Sequence, residues 1–366
     1  MKIRDPITEE EFVELPYILS KKNPYWVCEL KKDALKLISL SHPFWSLAER
    51  KLFVCEDKGK IVGRICGIVN KKYNEFHNEN GAFFGFFDCI DNDDVSSMLF
   101  DAVEKWAKEK GCDFIRGPAN PSSNYTWGLL VENFNESNVI MMPYNPPYYI
   151  KLIENCGYKK EKDLFAFKWK YDDEIIQKMK ILNERIVSQN RNLYFEFIDL
   201  KKIDLAFNYV KEVYNLAWEK NWGFVAMSEE EIENMAKEIK MILKKEYVFF
   251  VKNGDRAVAF CFMLPDFNLA LKKLNGSINI FNIIPFLYSL LKIKSGRMLA
   301  LGVVEDYRGR GIEVMMILKA IEIAKKLGWE WGELSWTLED NIKINKTIEK
   351  FGGKVYKKYR IYRKDL

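Results

Sequence analysis

A short stretch near the end of the chain, Arg308-Gly-Arg-Gly-Ile312, has the composition of an anion-binding turn. It follows an apolar, strand-like run and precedes a helical apolar pattern. The first N–H groups of a helix have no partner within the helix, and the helix dipole adds partial positive charge there. Glycine lets the backbone approach a phosphate closely, and arginine adds charge and donors. The stretch therefore predicts a phosphate-binding turn, with a basic turn that holds no ligand as the alternative.

A second set of candidates could move a proton. Glu333 lies on a predicted strand, and Glu339 lies in the loop that follows it. Tyr359 and Tyr362 lie on the last predicted strand. A carboxylate or a phenol can act as a general acid or base when it is held beside a reacting group. We retain Glu333 and Tyr359 as catalytic candidates, against the alternative that each is a packing or surface residue.

A long irregular region, residues 117–149, combines amide and aromatic side chains. Long loops in compact domains often carry binding residues. The candidate substrate contacts in this region are Asn120, Asn124, Tyr144 and Tyr148. The alternative is a loop that only packs structural elements together.

The composition narrows the classes of protein to consider. Seven cysteines without a Cys-x-x-Cys pair indicate free thiols in a reducing cytoplasm. With only His42 and His77, we expect neither a histidine-based metal site nor a Ser-His-Asp triad. The net charge of +5 is spread along the chain, so it favours an anionic cofactor without predicting nucleic-acid binding. No apolar run of about 18 residues occurs. We predict a cytoplasmic monomer or homodimer without a transmembrane segment or metal.

The elements that must position these residues occur twice in the chain. Each half contains a strand, helices, a β-hairpin with a Gly turn, and then alternating strands and helices. The hairpin glycines Gly59 and Gly254 are as far apart in sequence as Gly157 and Gly352, which end two helices. Two equal offsets in the same order of elements predict an internal duplication.

The two halves differ at the position of the basic turn. In the first half, the strand 83–88 is followed by Cys89-Ile-Asp-Asn-Asp-Asp94, which has three aspartates and no glycine. Aspartates at a helix N-terminus stabilise the helix but repel a phosphate. We expect these aspartates to be helix caps, and we expect only the second half to bind an anionic cofactor.

The stretch Arg308–Glu313 resembles motif A of the GNAT (Gcn5-related N-acetyltransferase) superfamily, Arg/Gln-x-x-Gly-x-Gly/Ala, which binds the pyrophosphate of acyl-coenzyme A. The last position departs from the motif because it is Glu313. A carboxylate about 4 Å from a phosphate costs roughly 4 kcal/mol at an effective dielectric constant of 20. We therefore expect Glu313 to point away from the turn or to pair with Arg308 or Arg310.

Each half also resembles motif B of that superfamily, in which an Asn-bearing segment leads into a helix that ends at glycine. These segments start at Asn145 and Asn341. The family's motif B tyrosine, which often protonates the leaving thiolate, is missing, since Ile348 stands at its position in the second half. The resemblance extends over nearly the whole chain.

The resemblance implies an α/β (α+β) fold of two GNAT-like domains related by duplication, each a mixed, mostly antiparallel sheet flanked by helices. The implied domains are a degenerate copy over residues 1–170, a linker helix over 171–193 and a GNAT domain over 194–366. The last contains an apolar insertion at about 267–293. This insertion could cap a ligand, touch a membrane surface or form a buried amphipathic helix between the domains, and we expect the last.

The resemblance also implies an acyl-CoA-dependent N-acyltransferase. It would transfer an acetyl group from acetyl-CoA, or the acyl group of another acyl-CoA, to an amine of a small molecule or peptide. In this family two strands, here 299–304 and 331–336, splay apart to admit the pantetheine arm. The implied cofactor contacts are Leu301, Val303, Val304, Arg308, Gly309, Arg310, Gly311, Ile312 and Asn341.

Two other functions stay open at this point. The first is a GNAT-fold ligand-binding protein that has lost catalysis, as Glu313 and Ile348 suggest. The second is a Fem-like aminoacyltransferase that uses aminoacyl-tRNA. The absence of a concentrated basic patch argues against the second.

Overall fold

The computed structural model describes residues 1–366, apart from the side chain of Asp204. The elements of the first half are β1 (Lys2–Arg4), α1 (Glu9–Leu19), α2 (Lys31–Ile38), β2 (Ala48–Asp57), β3 (Lys60–Asn70), α3 (Lys71–His77), β4 (Gly81–Cys89), α4 (Asp93–Glu109), β5 (Phe114–Gly117), β6 (Ala119–Asn120), β7 (Thr126–Trp127), β8 (Leu129–Glu132), α5 (Tyr149–Asn155) and β9 (Lys159–Lys170).

The second half repeats the order of strands and helices, as predicted. Its elements are α6 (Asp173–Gln189), β10 (Leu193–Phe197), α7 (Ile203–Trp218), α8 (Glu229–Lys240), β11 (Val248–Asn253), β12 (Arg256–Pro265), α9 (Asn268–Leu271), α10 (Ile283–Leu290), β13 (Ser295–Val303), α11 (Ile312–Lys326), β14 (Trp331–Leu338), α12 (Ile342–Lys350) and β15 (Lys354–Asp365).

The chain forms two compact units. Unit 1 comprises Met1–Phe165, Phe267–Lys292 and Lys357–Leu366, and unit 2 comprises Ala166–Asp266 and Ile293–Tyr356. The apolar insertion and the end of the last strand thus group with unit 1. The predicted mixed α/β fold is confirmed, whereas the predicted domain boundaries stay a prediction.

The sheet of unit 1 has the strand order β1-β2-β3-β4-β5, followed by the end of β15. Neighbours are antiparallel except β4 and β5, which are parallel. Its core is aromatic, because Phe84, Phe100 and Tyr158 pack together with ring centroids 4.8 to 5.2 Å apart. Burying large aromatic side chains contributes strongly to stability.

The sheet of unit 2 has the strand order β10-β11-β12-β13-β14, and only its last pair is parallel. The helix α6 buries one face against α11, with Ile176, Met179 and Ile186 in the same cluster as Val314 and Leu318. These residues recur at helical spacing, so α6 presents an apolar stripe. The helix predicted as a linker is therefore part of the core of unit 2.

Polar side chains cap the starts of two helices. At the start of α8, Ser228 and Glu231 form a capping box, because they exchange side-chain to backbone hydrogen bonds. The aspartates expected at the N-terminus of α4 do begin this helix, but they are not its cap. Its cap is Asn92, whose side chain accepts a hydrogen bond from the Val95 N–H, while Asp93 and Asp94 follow in the first turn.

The apolar insertion also differs from expectation. It forms α9 and α10, and no residue of α10 is buried. The expectation of a buried amphipathic helix is therefore wrong. Among the described residues, no helix combines the length and the apolarity needed to cross a bilayer. The described side chains likewise include no His, Cys, Asp and Glu cluster that could hold a metal ion.

Candidate functional site

The parallel strands of unit 2 separate halfway along their length. Pairing of β13 with β14 runs from Ser295 opposite Trp331 to Met298 opposite Leu334 and then stops. The register between β12 and β13 shifts at the same place, leaving Leu299 without a partner as a bulge. A bulge bends its strand and increases the local twist. Among the described residues, the backbone of 299–303 pairs only with β12, so its other edge lies free.

The free edge of β13 leads directly to the N-terminus of α11. Gly311 is the N-cap of α11 and has φ 79°, and Gly309 has φ 76°. A side chain at Gly311 would be strained by this conformation, and its Cβ would lie 2.6 Å from the Ile186 Cδ1 atom. A Cβ at Gly309 would meet nothing within 4 Å. The turn is therefore held against α6 on one side and has open space beside Gly309.

The arginines of this turn contact backbone oxygens. The Arg308 guanidinium donates to the Val303 and Ala217 carbonyls at 3.2 and 2.7 Å. The Arg310 guanidinium donates to the Asp306 carbonyl at 3.0 Å. A guanidinium has five N–H donors, so each arginine retains donors for an anion.

The acidic residues of the turn have different partners. Lys220 lowers the pKa of Glu305 through a hydrogen bond of 2.8 Å. Glu313 lies in the first turn of α11 and is half-exposed. Among the described side chains, Glu313 forms no ion pair, so the expected pairing with Arg308 or Arg310 is not found. Of the expected arrangements for Glu313, only the orientation away from the turn stays open.

A buried polar cluster lies beside the paired part of the two strands. Glu333 is only 1% exposed, and its two carboxylate oxygens accept hydrogen bonds from the hydroxyls of Ser335 and Tyr356. Arg297 donates to the Ser335 hydroxyl at 3.0 Å and to the Ser335 carbonyl at 3.1 Å. We call these four residues the Glu333 cluster. Buried polar groups bonded in this way are fixed in orientation.

An apolar pocket adjoins the Glu333 cluster within unit 2. It contains about 620 Å³ of space, part of which is open to solvent. Its walls include Met298 and Leu334, where strand pairing ends, and Ile317 and Ile321 of α11. Glu333 is the one charged residue of the described lining. A pocket with apolar walls and one carboxylate is suited to an apolar ligand with a polar reacting group.

The two catalytic candidates belong to different units. Glu333 belongs to unit 2, whereas Tyr359 belongs to unit 1, where it is fully buried and lies opposite Leu130 of β8. Asn341, a cofactor candidate from another segment, caps α12 by accepting a hydrogen bond from the Ile344 N–H at 3.4 Å. Ile348, at the position of the missing tyrosine, lines the apolar pocket.

The corresponding cleft of unit 1 is filled by the chain itself. Pairing of β4 with β5 ends at Phe83 opposite Arg116, and the chain then turns into β6. The Asn120 side-chain oxygen accepts a hydrogen bond of 2.6 Å from the Phe86 N–H. A Cβ at Gly85 would lie 1.7 Å from the Ala119 carbonyl oxygen, so glycine is required there. β6 therefore occupies the place that is free beside β13.

Tyrosine side chains occupy the backbone groups at the end of β4 as well. The Tyr148 hydroxyl donates to the Cys89 carbonyl at 2.8 Å, and the Cys89 N–H donates to the Tyr149 hydroxyl at 3.0 Å. Burial raises the pKa of Tyr149. At the start of α4, the Asp93 carboxylate accepts hydrogen bonds of 2.9 Å from Lys151 and Asn155. No basic anion turn is built at this position in the described residues.

The candidate substrate residues of the irregular region mostly bind their own unit. Besides Asn120 and Tyr148, the Tyr144 hydroxyl donates to the Phe134 carbonyl at 2.8 Å. The Asn124 N–H donates to the Ser122 hydroxyl at 3.3 Å. These contacts favour the packing role for this region, and substrate contact by these residues stays a prediction.

Sequence reasoning missed three residues of the Glu333 cluster. Arg297 and Ser335 lie on the two splayed strands, and Ser335 is two positions after Glu333, so both project from the same face of β14. This spacing could have indicated the pair. Tyr356 lies on β15, three positions before the tyrosine that we chose, and only the fold brings it to Glu333.

Comparison with known proteins yields relatives that extend along the whole chain. A bacterial ceramide synthase from Caulobacter vibrioides is 30% identical over 375 residues, covering 100% of this chain and 96% of the relative. Protein YghO from Escherichia coli is 29% identical over 363 residues, covering 97% of this chain and 92% of the relative. No family model matches the chain.

A solved structure resembles the fold over the same extent. A tandem GNAT protein from the clavulanic acid biosynthesis pathway superposes with a TM-score of 0.58 and 8% identity, covering 100% of this chain and 98% of that protein. At this identity the likeness concerns the fold alone.

Proposed function

The chain belongs to the family of the bacterial ceramide synthase from Caulobacter vibrioides and has the fold of a tandem GNAT protein, and we propose that its unit 2 transfers an acyl group from acyl-CoA to an amine. The observation that carries this proposal is the free edge of β13 beside the N-terminus of α11. An extended thioester arm can add to such an edge by backbone hydrogen bonds, as a strand does.

In this proposal the turn binds the pyrophosphate. Oxygens of the pyrophosphate accept hydrogen bonds from the N–H groups of Gly309, Gly311 and Ile312, aided by the dipole of α11. Arg308 and Arg310 supply further donors. Backbone groups of Leu301 and Val303 then bind the pantetheine arm. The expected contact by Val304 is not part of this proposal, because its N–H donates to the Val258 carbonyl and its carbonyl accepts from the Tyr307 N–H, both at 3.0 Å. The open space beside Gly309 supports the fit of a phosphate at this turn.

The pocket supports an acyl chain longer than acetyl. An acetyl group has two carbons, whereas the pocket is lined by apolar side chains of β13, β14 and α11. Burying each CH₂ contributes about 0.8 kcal/mol, so long chains bind more tightly in such a site. In this proposal acetyl-CoA therefore binds more weakly than acyl-CoA donors with longer chains.

The transfer itself needs one proton to move. The amine nitrogen attacks the thioester carbonyl carbon, so a C–N bond forms and the C–S bond breaks. Backbone N–H groups near Leu301 to Val303 stabilise the oxyanion. Glu333 accepts the proton that the attacking amine loses and returns it to solvent, while the CoA thiolate leaves and takes up one proton from solvent. Because a thiolate leaves readily, the reaction does not require the tyrosine that Ile348 replaces.

The acceptor that we propose is the amine of a long-chain amino alcohol. The relative from Caulobacter vibrioides is named a ceramide synthase, and a ceramide is the amide of such an amino alcohol with a fatty acid. An amide product of this class has two long apolar chains, which agrees with the apolar lining of the pocket.

Thiol release measured with acyl-CoA donors of two to eighteen carbons tests the proposal, with sphinganine as the acceptor and mass spectrometry of the product. We expect release that depends on both substrates and rises with chain length. A protein stabilised by acyl-CoA that releases no thiol with any amine would support a ligand-binding protein instead. Absence of both stabilisation and release would refute the proposal.

A further inference from the structure

The insertion presents an apolar surface to solvent. Seven large side chains of residues 278–291 are more than half exposed, and Phe281 and Leu291 reach 85%. We call this surface the α10 face, and it consists of Ile278, Ile280, Phe281, Ile284, Leu287, Tyr288 and Leu291. Contiguous apolar surface of this kind marks a site of interaction with another molecule.

The α10 face is a built structure, because its base is anchored in unit 1. Leu274 is 1% exposed, and the Asn268 side chain donates to the Asn138 carbonyl at 2.8 Å. The Asn282 side chain donates to the Leu274 and Ser277 carbonyls at 3.0 and 2.7 Å. These bonds hold α9 and the start of α10 together, so the apolar side chains project from a fixed turn and helix.

The charges within the insertion itself have one sign. The segment Phe267–Lys292 contains no Asp or Glu, and it contains three exposed lysines: Lys272, Lys273 and Lys292. The Lys292 ammonium lies 4.1 Å from the centre of the Tyr288 ring. Lysine is depleted in protein–protein interfaces. Lysine beside tyrosine at the edge of an apolar surface is typical of contact with lipid headgroups.

We propose that the α10 face docks on a bilayer that contains anionic lipids. Its apolar side chains enter the boundary between headgroups and acyl chains, and the lysines at its edge attract the anionic headgroups. The protein then rests on the surface without crossing it. This inference does not depend on the proposed acyl transfer, although long-chain substrates are themselves concentrated in bilayers.

Flotation of the whole protein with vesicles tests the inference. We expect the wild type to float with phosphatidylcholine vesicles that contain phosphatidylglycerol, and to bind several-fold less to vesicles of phosphatidylcholine alone or at high salt. The double variant Phe281→Ser/Leu291→Ser should bind at least about tenfold more weakly, because it lacks two large apolar side chains that enter the bilayer when the protein docks. Lys273→Glu/Lys292→Glu should abolish the preference for anionic lipid.

Exposed apolar residues elsewhere supply the matched control. Leu205→Ser/Met241→Ser changes two exposed residues of unit 2 and should float like the wild type. Wild type that fails to float with anionic vesicles would overturn the inference, and so would equal flotation of the Phe281→Ser/Leu291→Ser variant. Sedimentation tests the alternative that a second copy of the chain covers the α10 face. A wild-type dimer that this variant converts to a monomer, with no lipid binding, would make the face an interface between two copies.

Discussion

Each unit contains a pair of parallel strands, and the units differ in what occupies the cleft where the pairing of these strands ends. In unit 1, β6 fills the cleft, and Asn120 bonds to the Phe86 N–H. In unit 2, the cleft beside β13 has no such segment among the described residues. Counted from the last parallel pair, Phe86 corresponds to Leu301, which we propose as a cofactor contact. The backbone group that a pantetheine arm would use in unit 2 is thus satisfied within the chain in unit 1.

The polar cluster shows the same difference. Counted from the same pair, Glu333 corresponds to Ile115, which is fully buried in unit 1. A carboxylate is costly to bury without hydrogen bonds, and the hydroxyls of Ser335 and Tyr356 meet that need in unit 2. One copy therefore has a free backbone edge and a buried acid, whereas the other copy is packed at the same positions.

Removing the acid should have the largest effect. Glu333→Gln keeps the shape of the side chain but cannot accept the amine proton, so we expect kcat to fall by about 100-fold to 1000-fold. The KM for acyl-CoA should stay within about twofold of the wild-type value. Steady-state thiol release measures both constants.

A control variant separates the loss of a proton acceptor from a general effect of removing a carboxylate. Glu322→Gln, on the exposed side of α11, is the matched control and should behave as the wild type. An unchanged kcat in Glu333→Gln would remove Glu333 from the reaction.

Reversing the charge of the turn should be nearly as severe. Gly309→Asp/Arg310→Glu places carboxylates where we propose the pyrophosphate, so acyl-CoA affinity should fall about 100-fold, or about 2.7 kcal/mol. Calorimetric titration measures the dissociation constant. Lys58→Glu/Gly59→Asp makes the same charge change in the hairpin turn of unit 1, where Gly59 also has open space. Equal loss in both variants would point to net charge and not to the turn.

Opening the filled cleft should reduce stability and not binding. In Gly85→Ala the new methyl group meets the Ala119 carbonyl, so the free energy of unfolding should fall by about 2 kcal/mol. Urea unfolding measures this change. The corresponding residue of unit 2 is Ala300, and Ala300→Gly should cost about 1 kcal/mol or less. If Gly85→Ala weakened acyl-CoA binding instead, the assignment of the cofactor to unit 2 would be in error.

The smallest expected effect is a gain. Glu313 lies in the first turn of α11 and forms no ion pair among the described side chains. Because it is half-exposed, water screens much of its repulsion of a phosphate. Glu313→Gln should therefore tighten acyl-CoA binding by about fivefold, or about 1 kcal/mol. Weaker binding by this variant in the same calorimetric titration would mean that Glu313 itself holds the ligand.

Much of the fold could be predicted from the sequence because its signals are local. The hairpin turn at Gly59, the helix that ends at Gly157 and the capping box of Ser228 each depend on neighbouring residues. The repeated order of these elements then gave the duplication and the resemblance to the GNAT superfamily. The comparison of folds with a solved tandem GNAT protein agrees with that resemblance.

The candidate site was less predictable because its contacts join distant segments. The choice of Tyr359 rested on its strand alone, and the structure puts it in the core of unit 1 while Tyr356 reaches Glu333. The hydrogen bond between Asn120 and Phe86 likewise joins an irregular region to β4, and no local pattern indicates it. The apolar pattern of the insertion led us to expect a buried helix, but the α10 face is exposed. Such a pattern shows that a helix has an apolar side and does not show what covers that side.

Amide hydrogen exchange with and without palmitoyl-CoA tests the central difference between the units most directly. We predict that the ligand protects amides in residues 299–304 and 309–314 of unit 2. We also predict that exchange of residues 83–94 in unit 1 does not change. Protection confined to residues 83–94, or no protection in either stretch under saturating ligand, would contradict the account.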